Sequence, residues 1–195
     1  MSSSHIATGG HGALPNVPDT LLEPTYQNRL RVIGRHLDLL SYRSFVIVEV
    51  EGGLLVRAVR ADQRDGEALE FPDGAFRQLM LDAISSRGSG YHSYTPSPLL
   101  PTGYEDFLRA LGHRLDQRLA RGVVVTECPS MVVVTGDEQS HTSTQAPYRV
   151  FEDLLRPQDV TALLDQAFSR RAPVHPAEER PGEGTGALRR FRRLA

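Results

Sequence analysis

The feature that most constrains this chain is that it matches itself. Shifted by 78 residues, the segment Tyr26–Glu49 carries nine identities over 24 positions. They are Tyr26/Tyr104, Leu30/Leu108, Arg31/Arg109, Gly34/Gly112, Leu37/Leu115, Asp38/Asp116, Arg43/Arg121, Val46/Val124 and Glu49/Glu127. Chance supplies about one or two at average residue frequencies. The match returns at an offset of 83, where Leu81-Asp82 meets Leu164-Asp165 and Ser86-Arg87 meets Ser169-Arg170. A loop in the second half therefore carries about five extra residues. A period this long is not a solenoid repeat. It predicts a unit copied once, with the two copies related by a pseudo-twofold axis.

Each half shows the same succession of patterns. Tyr26, Leu30, Ile33, Leu37 and Leu40 step by four and three, as do Tyr104, Leu108, Leu111 and Leu115; this is the apolar stripe of a helix. Thr25 is the expected cap of the first helix, and Thr102 with Glu105 reads as a capping box for the second. The β-branched runs Phe45–Val50 and Val123–Cys128 predict strands. Glu51-Gly52-Gly53 and Pro129-Ser130 turn the chain into Leu54–Val59 and Met131–Val134. A weaker third strand is expected at Ala68–Phe71 and Tyr148–Phe151. Closing helices are expected from Asp73 to Arg87 and from Pro157 to Arg171. The fold class is α+β, an internally duplicated α-β-β-β-α unit with antiparallel sheet or sheets packed by helices.

This divides the chain into a flexible arm at 1–22, a first repeat at 23–88, a connector at 89–102, a second repeat at 103–171, and a disordered tail at 172–195 ending in a basic segment. The arm is rich in Ser, Gly, Pro and His, and the linker before the basic segment in Pro, Glu and Gly, both without periodicity. Residues Met1–His5 lack the basic and apolar regions of a signal peptide, and no apolar run reaches the roughly 20 residues that span a bilayer. A single cysteine, Cys128, permits no intrachain disulfide. A cytoplasmic protein is expected.

Composition excludes whole classes of chemistry. All 22 basic residues are arginine, so no Schiff base, Walker A lysine, Ser-Lys dyad or lysine general base can form. Gly-x-Ser-x-Gly is absent. The seven histidines form no metal motif, and no cofactor or metal is expected. Gly182–Gly186 follows no strand and is not a phosphate loop. Cys128 aligns with Val50 and reads as a small hydrophobe in a strand. His36 and His113 lie on the helices out of equivalent register. Gly34 and Gly112 sit in mid-helix, where glycine costs about 1 kcal/mol relative to alanine, so each helix is expected to approach another element closely.

The candidate binding residues are those repeated in both halves and those of the tail. Glu49 and Glu127 end equivalent strands; converging, they could hold a divalent cation or share a proton, and apart they are solvent-facing or paired with arginine. Arg31 and Arg109, seven residues before Asp38 and Asp116, read as structural salt links or as an arginine pair gripping an anion or a partner's carboxylate. The tail segment Ala187–Ala195 sets Arg189, Arg190, Arg192 and Arg193 between Leu188, Phe191 and Leu194. Removing its charge of +4 from the net charge of −2 leaves about −6 on the rest. Such a segment is suited to an acidic groove, a nucleic acid or a membrane surface, or to being a solvated end.

Three functions are chiefly compatible with these features, with a small-ligand sensor as the remaining alternative. The first is a non-enzymatic protein-interaction or adaptor module. The second is a nucleic-acid-binding regulator that uses the arginine tail, against which an acidic body and few aromatics count. The third is a metal-dependent activity at the paired glutamates. A protein partner is the leading expectation, and homo-oligomerisation is left open.

Overall fold

The computed structural model of the chain describes residues 22–85, 99–100, 102–139 and 147–169. It has an α+β fold with four helices and one six-stranded antiparallel sheet. In chain order these are α1 (Tyr26–Leu39), β1 (Tyr42–Val50), β2 (Gly53–Arg60), β3 (Glu67–Pro72), a single 3₁₀ turn (Asp73–Ala75), α2 (Phe76–Ser85), α3 (Tyr104–Gln117), β4 (Arg121–Cys128), β5 (Met131–Glu138), β6 (Arg149–Leu155) and α4 (Pro157–Ser169). The order helix, three strands, helix occurs in both halves. The arm, most of the connector and the basic tail lie outside the described residues.

The spacing of apolar residues in α1 and α3 decides which sides they bury. Tyr26, Leu30, Ile33 and Leu37 are buried, and so are Tyr104, Leu108, Leu111 and Leu115. Both helices leave their last turn through a non-glycine residue in the left-handed region, Ser41 at φ 55° and Leu119 at φ 49°, and these two positions correspond at the 78-residue offset. The helix starts differ from expectation on one side. Thr25 caps α1, its hydroxyl accepting the Asn28 N–H at 3.3 Å. Thr102 does not cap α3: the N-cap position is Gly103, at φ 95°, with no side-chain cap of its own. The acceptor comes from α1 instead, as described below.

The sheet runs β3-β2-β1-β4-β5-β6, so the halves meet at β1 and β4 and share one sheet. Their ladder pairs Val46 with Thr126, Ile47 with Val125 and Val48 with Val124. Ile47 thus faces its own counterpart, and the pairs on either side map onto each other. The outer strands extend further than the sequence patterns indicate: β6 continues to Leu155 because Leu154 and Leu155 still pair with Val133 and Val132 of β5. The closing helix of the first half begins late, after the 3₁₀ turn at Asp73.

Because strand side chains alternate between faces, one set from the sheet points at the helices. Phe45, Ile47, Leu54, Val56, Ala58, Val123, Val125, Val132, Val134, Phe151 and Leu155 form a continuous buried cluster with α1, α3 and α4. Each such large side chain contributes about 1.5–3 kcal/mol. Leu99 and Leu100, at the end of the connector, are buried in this same cluster. The connector therefore finishes as core, which its polar composition upstream conceals.

Candidate functional site

Two of the residue pairs repeated in both halves, Asp38 with Asp116 and Gly34 with Gly112, meet at the contact between α1 and α3. Asp38 of α1 accepts the Tyr104 and Glu105 N–H groups, each at 2.9 Å. Asp116 of α3 accepts the Tyr26 and Gln27 N–H groups at 2.8 and 2.9 Å. Each aspartate so fills the orphan donors at the start of the other helix, where the helix dipole favours negative charge. Burial pushes the Asp38 carboxyl up to about 6 against these two donors, and raises that of Asp116 in the same direction. The two aspartates were expected to form salt links with Arg31 and Arg109; they form helix caps. Gly34 and Gly112 stand at the close approach this requires. A Cβ on Gly34 would lie 2.5 Å from the Tyr104 carbonyl oxygen, and one on Gly112 2.5 Å from that of Tyr26.

Arg31 and Arg109 are both buried but make different contacts. Arg31 Nε lies 3.1 Å from Glu105 Oε1, and Arg35 lies 3.1 Å from the other carboxylate oxygen of Glu105. Arg109 stacks its guanidinium on the Phe168 ring of α4, 4.6 Å from the centroid. The two arginines do not form one anion clamp.

Glu49 and Glu127 each accept a hydrogen bond from the tyrosine that opens their own half, Tyr26 at 2.5 Å and Tyr104 at 3.0 Å. Burial and the adjacent Glu49 carboxylate push the Tyr26 hydroxyl well above the usual phenol range. The two glutamates do not converge. Glu49 lies one step beyond the Val48–Val124 pair and Glu127 one step beyond the Val46–Thr126 pair, at opposite ends of the shared ladder and about 13 Å apart at strand rise. Their surroundings also differ. Glu49 accepts the Val123 N–H at 3.1 Å and has Arg29 at 3.7 Å, which reaches on to Asp73 at 3.0 Å. The position of Arg29 in the second half is Phe107, which is buried in the core. Burial without a neighbouring cation pushes the Glu127 carboxyl up to about 7, against the Tyr104 hydroxyl. Among the described residues no group of three or more His, Cys, Asp or Glu is placed to hold a metal ion. His113 bonds Gln27 and Gln117, and burial lowers the pKa of His36 beside Tyr42 and Phe71. No described helix is long and apolar enough to cross a membrane.

The second face of the sheet carries apolar side chains that are not among the candidate binding residues. By alternation from the buried set, Val46, Val48, Leu55, Val124, Thr126, Cys128, Met131 and Val133 point away from the helices. They are half-buried. No described element packs over them, and the face continues to Leu154 and Val150, 50% and 84% exposed. The signal was present in the sequence: Phe45–Val48, Leu54–Val56, Val123–Val125 and Met131–Val134 are continuous apolar runs, whereas a strand with one solvated face should alternate. Two grooves are lined in part by residues of this face. One of about 300 Å³ is lined by Val50–Leu55 and by Glu70–Pro72. The other, about 390 Å³, is lined by residues that include Ser44, Val46, Arg57, Arg64 and Glu127. In comparison with known proteins, no family model, no curated protein and no solved structure matches this chain.

Proposed function

We propose that this chain is a non-enzymatic protein-interaction module, built as two copies of one unit, whose open sheet face receives an apolar polypeptide segment. The observation that carries the reading is a six-stranded sheet with apolar side chains on both faces and described helices on one. Contiguous apolar surface of this kind, rimmed by polar residues, marks interaction sites. The two grooves supply depth for side chains of the incoming segment. The paired glutamates offer no metal-binding geometry to compete with this reading, since each is taken up by a tyrosine of its own half.

The test is affinity capture with the full chain against a Leu55→Glu/Val133→Glu double variant. Both side chains face away from the core, so the variant should fold with wild-type circular dichroism. A control variant, Gln78→Ala, alters the exposed surface of α2. The expected result is a partner recovered in one-to-one amount by the wild type and the control and lost by the double variant. A partner that the double variant retains would overturn the assignment of the face. The same experiment repeated with nuclease treatment separates protein from nucleic-acid capture: loss of all binding on digestion would favour the nucleic-acid reading.

A further inference from the structure

We propose that the basic segment Leu188–Leu194 of this chain docks in the groove formed by Val50–Leu55 and Glu70–Pro72, occupying part of the open face until a partner displaces it. The proposal rests on the interaction reading of that face and adds its regulation.

Charge selects the groove. Glu51 and Glu70 stand exposed at the 300 Å³ groove, and neither makes an ion pair among the described residues, whereas Glu49, Glu67, Glu105, Asp137 and Asp153 all have arginine partners. The neighbouring groove sets Arg57 and Arg64 against Asp65 and Glu127 and offers no net negative charge, whereas the first carries two acids and no base. Outside the tail the chain bears about −6, so the four arginines are drawn to the body as a whole and to these two acids in particular.

The apolar pattern fits the floor. Leu188, Phe191 and Leu194 recur every three residues, which places them along one side of a helical turn with arginines on the other. Val50 is 46% exposed and shares the outward face with Leu55, so the floor offers apolar surface for Phe191 between the two acids.

Reach is sufficient. α4 ends at Ser169, and residues 170–186 precede the segment. Seventeen residues span up to about 58 Å when extended and have a root-mean-square span of about 23 Å as a flexible chain. From β6 to β2 is four strand spacings, about 19 Å, and crossing from the helix layer to the far face adds about 10 Å. The segment can therefore round the sheet without unfolding α4.

The test replaces Phe191 with the photo-crosslinker p-benzoylphenylalanine in the full chain and maps the products by mass spectrometry at low protein concentration. Crosslinks within one chain to Val50–Leu55 or Glu70–Pro72 are expected. Their yield should fall about tenfold when all four arginines are replaced by glutamate, and recover when Glu51→Arg and Glu70→Arg are added to that variant. Crosslinks scattered over the surface, crosslinks only between chains, no crosslinks, or a yield indifferent to the charge reversals would each overturn the proposal. These outcomes are independent of the capture experiment: a face that binds its partner but gives no tail crosslinks retains its function and loses only this regulation.

Discussion

Gly34 and Gly112 are the residues on which the helix pair turns. Alanine is ordinarily favoured over glycine in mid-helix by about 1 kcal/mol. Here a Cβ would fall 2.5 Å from a backbone carbonyl of the facing helix, and backbone cannot swing aside as a side chain can. Gly34→Ala and Gly112→Ala are therefore each expected to destabilise by about 1–3 kcal/mol, read as a lower midpoint in urea. Gly74, exposed and with open space around its Cβ position, is the control and should show no such loss. Glu127 gives a second prediction at this scale. Its folded pKa, about 7, lies above the usual glutamate value near 4.5, so the folded state holds a proton that the unfolded state has released. Its contribution to stability is therefore greatest below about pH 4.5 and is lost as pH rises to about 7, by about 2 kcal/mol for a partly solvated group. Glu127→Gln should flatten that part of the stability–pH curve, measured by denaturant unfolding at several pH values. An unchanged slope would refute the assignment.

At the scale of elements, α1 and α3 depend on each other for their N-termini. Asp38→Asn keeps the shape but weakens the acceptors for two N–H groups, while Asp38→Ala leaves them without their described partner. The expected losses are about 0.5–1 and about 1–2 kcal/mol. Asp116 should behave alike, and the double variant should show losses that do not add, because both caps belong to one contact. How much of this was legible beforehand varies by element. The stripes Tyr26–Leu37 and Tyr104–Leu115, the β-branched runs and the turns at Gly52 and Pro129 all lie where local pattern places them, because each is set by neighbours a few residues away. Thr102 does not act as the expected cap because the acceptor that takes its place, Asp38, lies 66 residues before the Tyr104 N–H it accepts. Leu99 and Leu100 were hidden in a connector because two apolar residues carry no period. The identities at positions 38/116 and 34/112 did mark the helix contact, although spacing alone suggested salt links for the aspartates.

For the whole molecule, the decisive joint is the β1–β4 ladder. It makes one sheet from two halves, and the buried cluster runs across it without a break. Unfolding should accordingly be a single transition, with tyrosine fluorescence and circular dichroism superimposing in urea. Two separated transitions would mean that the halves are independent. The glutamates at opposite ends of that ladder were legible as a pair but not as neighbours: an antiparallel seam centred on Ile47 and Val125 sends residues two steps past the centre in opposite directions, and no local pattern reports where the seam is centred.

That seam lies within one polypeptide. Two subunits joined by the same strands would come apart on dilution, and their surfaces would have to stay identical. A covalent pair escapes both constraints. The two sides need not be alike: Arg29 pairs with Glu49 on one, while Phe107 is buried in the core at the corresponding place on the other, so the molecule can present a lopsided face with an acidic cleft on one flank while its midline stays fixed.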